Sequence, residues 1–223
     1  MKFQTYLDRD ALYEAVANAI YTDLSTQLVA QRRALLAVPG GTTPGPVFDR
    51  LCHMDLAWSN VAIMLSDERW VPETSERSNT ALLRARLHQG AAAQSTILPM
   101  HYPSDTPEEG IKHLTDTIDA HLPVSVLLLG MGADMHTASI FPQADLLTEA
   151  LSDDAPTVLP MRAAGAPEPR VTLSAPVLKA ARHIHVIITG EEKRAALETA
   201  QTLRPIEAPI TAFLSNATVH WAA

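Results

Sequence analysis

Four short apolar runs punctuate the chain, and each gives way to glycine-rich or charged sequence at its C-terminal end. ALLAV (34–38) leads into Pro39-Gly40-Gly41-Thr42-Thr43, and VAIML (61–65) into Ser66-Asp67-Glu68-Arg69. VSVLLL (124–129) leads into Gly130-Met131-Gly132-Ala133-Asp134, and HIHVIIT (183–189) into Gly190-Glu191-Glu192-Lys193. Short runs bounded by such breakers predict buried strands. Between them the apolar positions take helical spacing. The stretch from Leu7 to Arg33 places Leu12, Val16, Ala19, Ile20 and Leu28 near one face, with Asp8 or Asp10 as N-cap. NTALLRARLH (79–88), PEEGIKHLTDTIDAHL (107–122) and EEKRAALETAQ (191–201) read as further helices.

Strands alternating with helices predict an α/β fold: a largely parallel, Rossmann-like sheet with helices on both faces. Ligands of such sheets bind outside the carboxyl ends of the strands. All four runs carry their unusual residues there, so one site assembled from all four is expected. The Pro- and Ala-rich segment Asp153–Arg170 reads as an irregular excursion, around 150–170, within a single domain spanning 1–223. Strand-like sequence resumes after it without a compositional break.

Charge and composition narrow the chemistry. A formal net charge of −8 argues against nucleic acid, which is bound by basic faces. It leaves room for a small anion, because a few cations in one cleft focus a positive field. No apolar run approaches the roughly 18–20 residues of a membrane span, and MKFQTYLDRDALYEA lacks the uninterrupted apolar core expected of a secretory signal. Cys52 is the only cysteine and is expected to be a buried helical residue. A reducing cytoplasm is the expected compartment.

VPGGTTPGPVFDRL joins a predicted strand to a predicted helix and fits either an anion-binding turn or a plain tight turn. SDERWVPETSERSN gathers Asp67, Glu68, Arg69, Arg77, Ser78 and Asn79 at a strand end. It reads either as a solvated charged loop or as a phosphate clamp, with Arg69 offering a bidentate fork. In GADMHTAS, His136 stands two residues from Asp134 at a strand mouth, where imidazole is the natural general base. His183 and His185 have metal-ligand spacing but no evident third ligand. Ser139 reads as a helix-start residue rather than a nucleophile. There is no dinucleotide fingerprint, Walker loop or Gly-x-Ser-x-Gly elbow.

Taken together, these segments resemble the 6-phosphogluconolactonase family. GGTTP matches its Gly-Gly-Ser/Thr-Thr-Pro loop, and DERWVP with Ser78-Asn79 matches Asp-Glu-Arg-x-Val-Pro followed by Ser-Asn. GADMHTASIFP matches Gly-x-Asp-Gly-His-Thr-Ala-Ser-Leu-Phe-Pro, with RVTL from Arg170 and GEEK ending at Lys193 downstream. The sister deaminases of glucosamine 6-phosphate continue their Asp-Gly-His element differently.

The resemblance implies hydrolysis of 6-phosphoglucono-δ-lactone in the oxidative pentose phosphate pathway, without metal or organic cofactor. It implies His136 as base, Asp134 as its support, and backbone N–H groups around Gly132 at the oxyanion. Gly40, Gly41 and Thr42 would hold the phosphate with Arg69 and Lys193, and Asp67, Asn79 and Arg170 would complete the site. Two departures stand out: Pro39 replaces the usual serine, and Met135 replaces the family glycine. A loop that accepts methionine is expected to have relaxed to negative φ. A sugar-phosphate deaminase or isomerase, and a non-catalytic sugar-phosphate binder, are the alternatives.

Overall fold

A computed structural model describes residues 1–223. The chain opens with β1 (Lys2–Thr5), α1 (Arg9–Gln31), β2 (Ala34–Val38), α2 (Gly45–Leu51), β3 (Val61–Leu65) and β4 (Asp67–Arg69). It continues through α3 (Asn79–Arg86), β5 (Thr96–Ile97), α4 (Pro107–Asp119), β6 (Val126–Gly130), α5 (Leu147–Leu151) and β7 (Val158–Met161). The last third comprises β8 (Arg170–Leu173), α6 (Ala175–Lys179), β9 (His183–Thr189), α7 (Glu191–Ala200), α8 (Thr211–Leu214) and β10 (Ala217–Ala222).

Seven strands form one sheet in the order β1-β10-β9-β6-β2-β3-β5, and every pairing in it is parallel. Every residue of β2 and β3 is buried, so both faces are covered there. This is the α/β architecture that the four apolar runs predict. A second sheet of β4, β8 and β7 is antiparallel. Because β4 begins two residues beyond β3, this small sheet is carried at the carboxyl edge of the large one.

Helix α1 starts where Asp8 accepts a hydrogen bond from the Ala11 N–H at 2.8 Å, so Asp8, not Asp10, is the cap. It buries Leu12, Val16, Ala17, Ile20 and Leu24. Cys52 directly follows α2 and is buried.

The excursion around 150–170 is less irregular than its composition suggests. Val158–Met161 forms β7 and pairs with β8 in register Val158↔Leu173 to Met161↔Arg170. Pro160 sits in this strand without breaking it because β7 is the outer strand of its sheet, where a missing N–H costs no ladder bond.

Candidate active site

The segments that follow β2, β3, β6 and β9 converge with β8 on a cleft of about 300 Å³. The turn after β2 forms one wall. The N–H groups of Gly40, Gly41, Thr42 and Thr43 donate to no protein acceptor, and a row of free amides makes an anion-binding concavity. Gly40 is dictated by space: a β-carbon there would overlap the Asn79 side chain. Asn79 donates from Nδ2 to the Asp67 carbonyl at 3.2 Å and keeps its Oδ1 buried without a partner.

Strand β4 supplies the opposite wall, and its three residues divide the work. Glu68 is fully buried and points away from the cleft. Its carboxylate accepts from the N–H groups of Arg69, Asn79 and Thr80 and from the hydroxyls of Ser78 and Thr80, at 2.7–3.1 Å. It therefore clamps the start of α3 against β4. Asp67 accepts from Ser139 Oγ at 2.6 Å and lies 3.9 Å from Arg170 Nη1. Arg69 donates from Nη1 to the Arg77 carbonyl at 2.6 Å.

Register places Arg170 of β8 directly opposite Arg69. Both guanidinium groups have a buried Nε without a partner. Burial pushes the Arg170 pKa down, and the neighbouring Asp67 opposes that shift. Lys193, near the start of α7, donates to the Met131 carbonyl at 2.6 Å. Burial lowers its pKa as well, against the pull of Glu192 and Asp134. Two adjoining arginines and a lysine, each partly stripped of water, are arranged for an anion.

His136 faces this charge from the loop after β6. Its Nδ1 lies 2.5 Å from Asp134 Oδ1, and its ring packs on Phe141 with centroids 4.2 Å apart. The hydrogen bond from His136 holds the Asp134 carboxyl below its usual range, although burial pushes the other way. An ionised Asp134 keeps the proton on Nδ1, which leaves Nε2 as the basic nitrogen. Gly132 is again required by space, since a β-carbon there would overlap both His136 and Asp134.

Gly40, Gly41, Thr42, Asp67, Arg69, Asn79, Gly132, His136, Arg170 and Lys193 all line the cleft. Asp134 does not; it reaches the site through the imidazole. Of the N–H groups around Gly132 expected at the oxyanion, that of Gly132 itself is committed to the His136 carbonyl and that of Met135 to the Gly132 carbonyl, each at 3.0 Å. Ser139 starts no helix: it lies in the turn bridged by Thr137 and Ile140 and is fully buried against Asp67. Its small polar character resembles a cap in sequence, and only contact across 72 positions reveals the other role. His183 and His185 lie outside this cleft and both approach Asp23, at 3.5 and 2.8 Å.

A family model described as glucosamine-6-phosphate isomerases/6-phosphogluconolactonase matches residues 7–221. The chain belongs to this family. It is 38% identical over 229 residues to a 6-phosphogluconolactonase of Mesorhizobium japonicum, covering 99% of this chain and 94% of that protein. Identity to the 6-phosphogluconolactonase of Pseudomonas aeruginosa is 37%, covering 89% of this chain and 85% of the relative. The crystal structure of a 6-phosphogluconolactonase from Shewanella baltica superposes with a TM-score of 0.97 at 31% identity, over 100% of this chain and 98% of the other. A monomeric glucosamine-6-phosphate deaminase gives 0.81 at 16% identity, over 100% and 97%, and shares the fold.

The backbone at residue 135 also departs from expectation. Met135 has φ 68°, in the left-handed region, so the loop has not relaxed to negative φ as expected. The turn is held from several directions: the Met135 N–H donates to the Gly132 carbonyl at 3.0 Å, and the Met135 carbonyl accepts from Ile210 N–H at 3.2 Å. The surroundings over-determine the backbone, and the methionine bears the strain.

Proposed function

We propose that this chain opens 6-phosphoglucono-δ-lactone to 6-phosphogluconate, as a carboxylic ester hydrolase of the oxidative pentose phosphate pathway. One cleft presents an imidazole pinned by a carboxylate, the cations Arg69, Arg170 and Lys193, and a row of free amides. That juxtaposition carries the assignment, and extensive identity to relatives named 6-phosphogluconolactonase supports it.

The phosphate is held by the Gly40–Thr42 amides with Arg69, Lys193 and Arg170. His136 Nε2 takes a proton from water, and the resulting hydroxide adds to the lactone carbonyl carbon. Collapse of the tetrahedral intermediate breaks the bond to the ring oxygen, which receives the proton from Nε2. The new carboxylic acid then ionises to solvent. Asp134 stabilises the transient imidazolium and fixes the ring. A positioned base contributes about 10²–10⁴-fold, and an activated ester needs little more.

The substrate is a small molecule, and no helix of the chain is long and apolar enough to cross a membrane. We assign the reaction to the cytoplasm, where the single thiol of Cys52 remains reduced. One core of 60 buried residues extends from α1 to β10, which supports treating 1–223 as one domain.

The experiment is direct. Lactone is generated from glucose 6-phosphate and its opening followed against the spontaneous rate. Acceleration proportional to enzyme is expected. Release of ammonia from glucosamine 6-phosphate instead, or phosphogluconate binding without turnover, would replace the reading by one of its alternatives.

A further inference from the structure

Arg69 and Arg170 face each other across the β4–β8 pair. Two like charges in directly opposed positions repel, so counter-charge must hold them together. Asp67 is one counter-charge, 3.9 Å from Arg170. The other lies on the rim. Arg77 grips Glu168 through both ends of its fork, from Nε to Oε1 and from Nη2 to Oε2, the latter at 2.9 Å. The carbonyl of the same Arg77 receives Arg69 Nη1 at 2.6 Å. Glu168 stands two residues before Arg170, and the intervening Pro169 carbonyl accepts from Trp70 N–H at 2.8 Å, next to Arg69.

One ion pair thus ties the loop that receives Arg69 to the segment that delivers Arg170. Its carboxylate also adds negative charge beside the cluster: Glu168 acts on the Arg170 guanidinium and is itself held ionised by Arg77.

We propose that Arg77 and Glu168 are positioning residues that set Arg69 and Arg170 as a matched pair for the substrate phosphate. This rests on the phosphate-binding reading of those two arginines. Arg77 does not line the cleft, and neither does Glu168. They act through the groups they hold. The Arg77 side chain is 52% exposed and that of Glu168 19%, and an ion pair open to solvent on one side contributes little to global stability. A positioning role therefore separates from a structural one.

The test uses Arg77→Ala, Glu168→Ala and the double variant, with phosphorylated lactone and with glucono-δ-lactone as its phosphate-free counterpart. Each single change is expected to raise KM for the phosphorylated lactone roughly five- to tenfold, with kcat within about twofold. The phosphate-free lactone is unaffected, and the thermal midpoint stays within about 2 °C. The double variant matches the singles, because the two side chains work as one unit.

Unchanged KM, additive losses, equal losses on both lactones, or a collapsed thermal midpoint would each overturn the proposal. Arg69→Ala separates the two levels of inference. If it impairs both lactones equally, the phosphate reading fails and the positioning role with it. If it is selective for the phosphorylated lactone while the pair variants are silent, only the positioning role fails.

Discussion

Met135 and His136 sit side by side and make different demands on the chain. The imidazole must be oriented, and Asp134 does this at 2.5 Å. Replacing His136 by Asn removes the base but keeps a polar side chain of similar reach. The expected outcome is a fall in kcat of ~10²-fold or more with KM changed only a few fold. Steady-state kinetics with fresh lactone, corrected for spontaneous opening, measures this directly; retention of a tenth of the turnover would remove His136 from the role. Met135 at φ 68° bears a cost of about 1–2 kcal/mol relative to a residue without a β-carbon. Substitution to Gly or to Ala loses the same packing, yet only Gly relieves the strain. The Gly variant is therefore expected to be the more stable of the two by about 1 kcal/mol, even after its extra unfolded-state entropy. Urea unfolding of the two variants checks the order, and the reverse order would refute strain at this position.

At the scale of elements, β4 is short but organises the site, because alternate residues of a strand point to opposite sides. Asp67 and Arg69 go to the cleft while Glu68 goes to the interior. Glu68 accepts five hydrogen bonds there, three of them from backbone N–H groups. Removing the carboxylate leaves several buried donors unpaired at about 1–3 kcal/mol each. Glu68→Ala is expected to lower the unfolding free energy by roughly 3 kcal/mol or more, read from chemical denaturation. A loss under about 1 kcal/mol would mean that α3 and β4 hold together without the clamp. In the sequence this glutamate is indistinguishable from the solvated charges around it. The strand runs, by contrast, are legible, since four of them coincide with β2, β3, β6 and β9.

For the whole molecule, a buried polar chain ties the edge of the large sheet to α1. Tyr6 meets His220 at 2.8 Å, His220 meets His185 at 3.0 Å, and His185 meets Asp23 at 2.8 Å. Burial, with His185 and Lys2 nearby, pushes the His220 pKa down from 6.5 to about 3. Between these values the unfolded chain binds a proton that the folded chain refuses, so stability falls as pH drops below 6.5. The expected loss is about 1.4 kcal/mol per pH unit, or roughly 2 kcal/mol by pH 5. Asp134 works in the same direction at lower pH, since its depressed pKa gives stability that is lost as the carboxylate protonates. Urea titrations near pH 7 and pH 5 measure the slope. A His220→Leu variant should start lower and fall less; an equal slope would move the effect elsewhere.

Local sequence determined four central strands of the main sheet, the helices between them and the identity of the residues at their carboxyl ends. Those properties follow from periodicity and from breakers, which act over a few neighbouring positions. It also pointed to Gly40, Gly41, Arg69, His136 and Lys193, which stand just beyond predicted strands, whereas Arg170, the first residue of β8, entered only through the family resemblance. Tertiary structure alone decided how they meet. The pairing of β4 with β8 sets Arg170 against Arg69 across about a hundred residues, and the fold brings Ser139 to Asp67. It ties the Met135 carbonyl to the Ile210 N–H with Met135 at positive φ, where local preference alone predicted relaxation. Register and long-range closure are properties of the assembled sheet and are not written in any single segment.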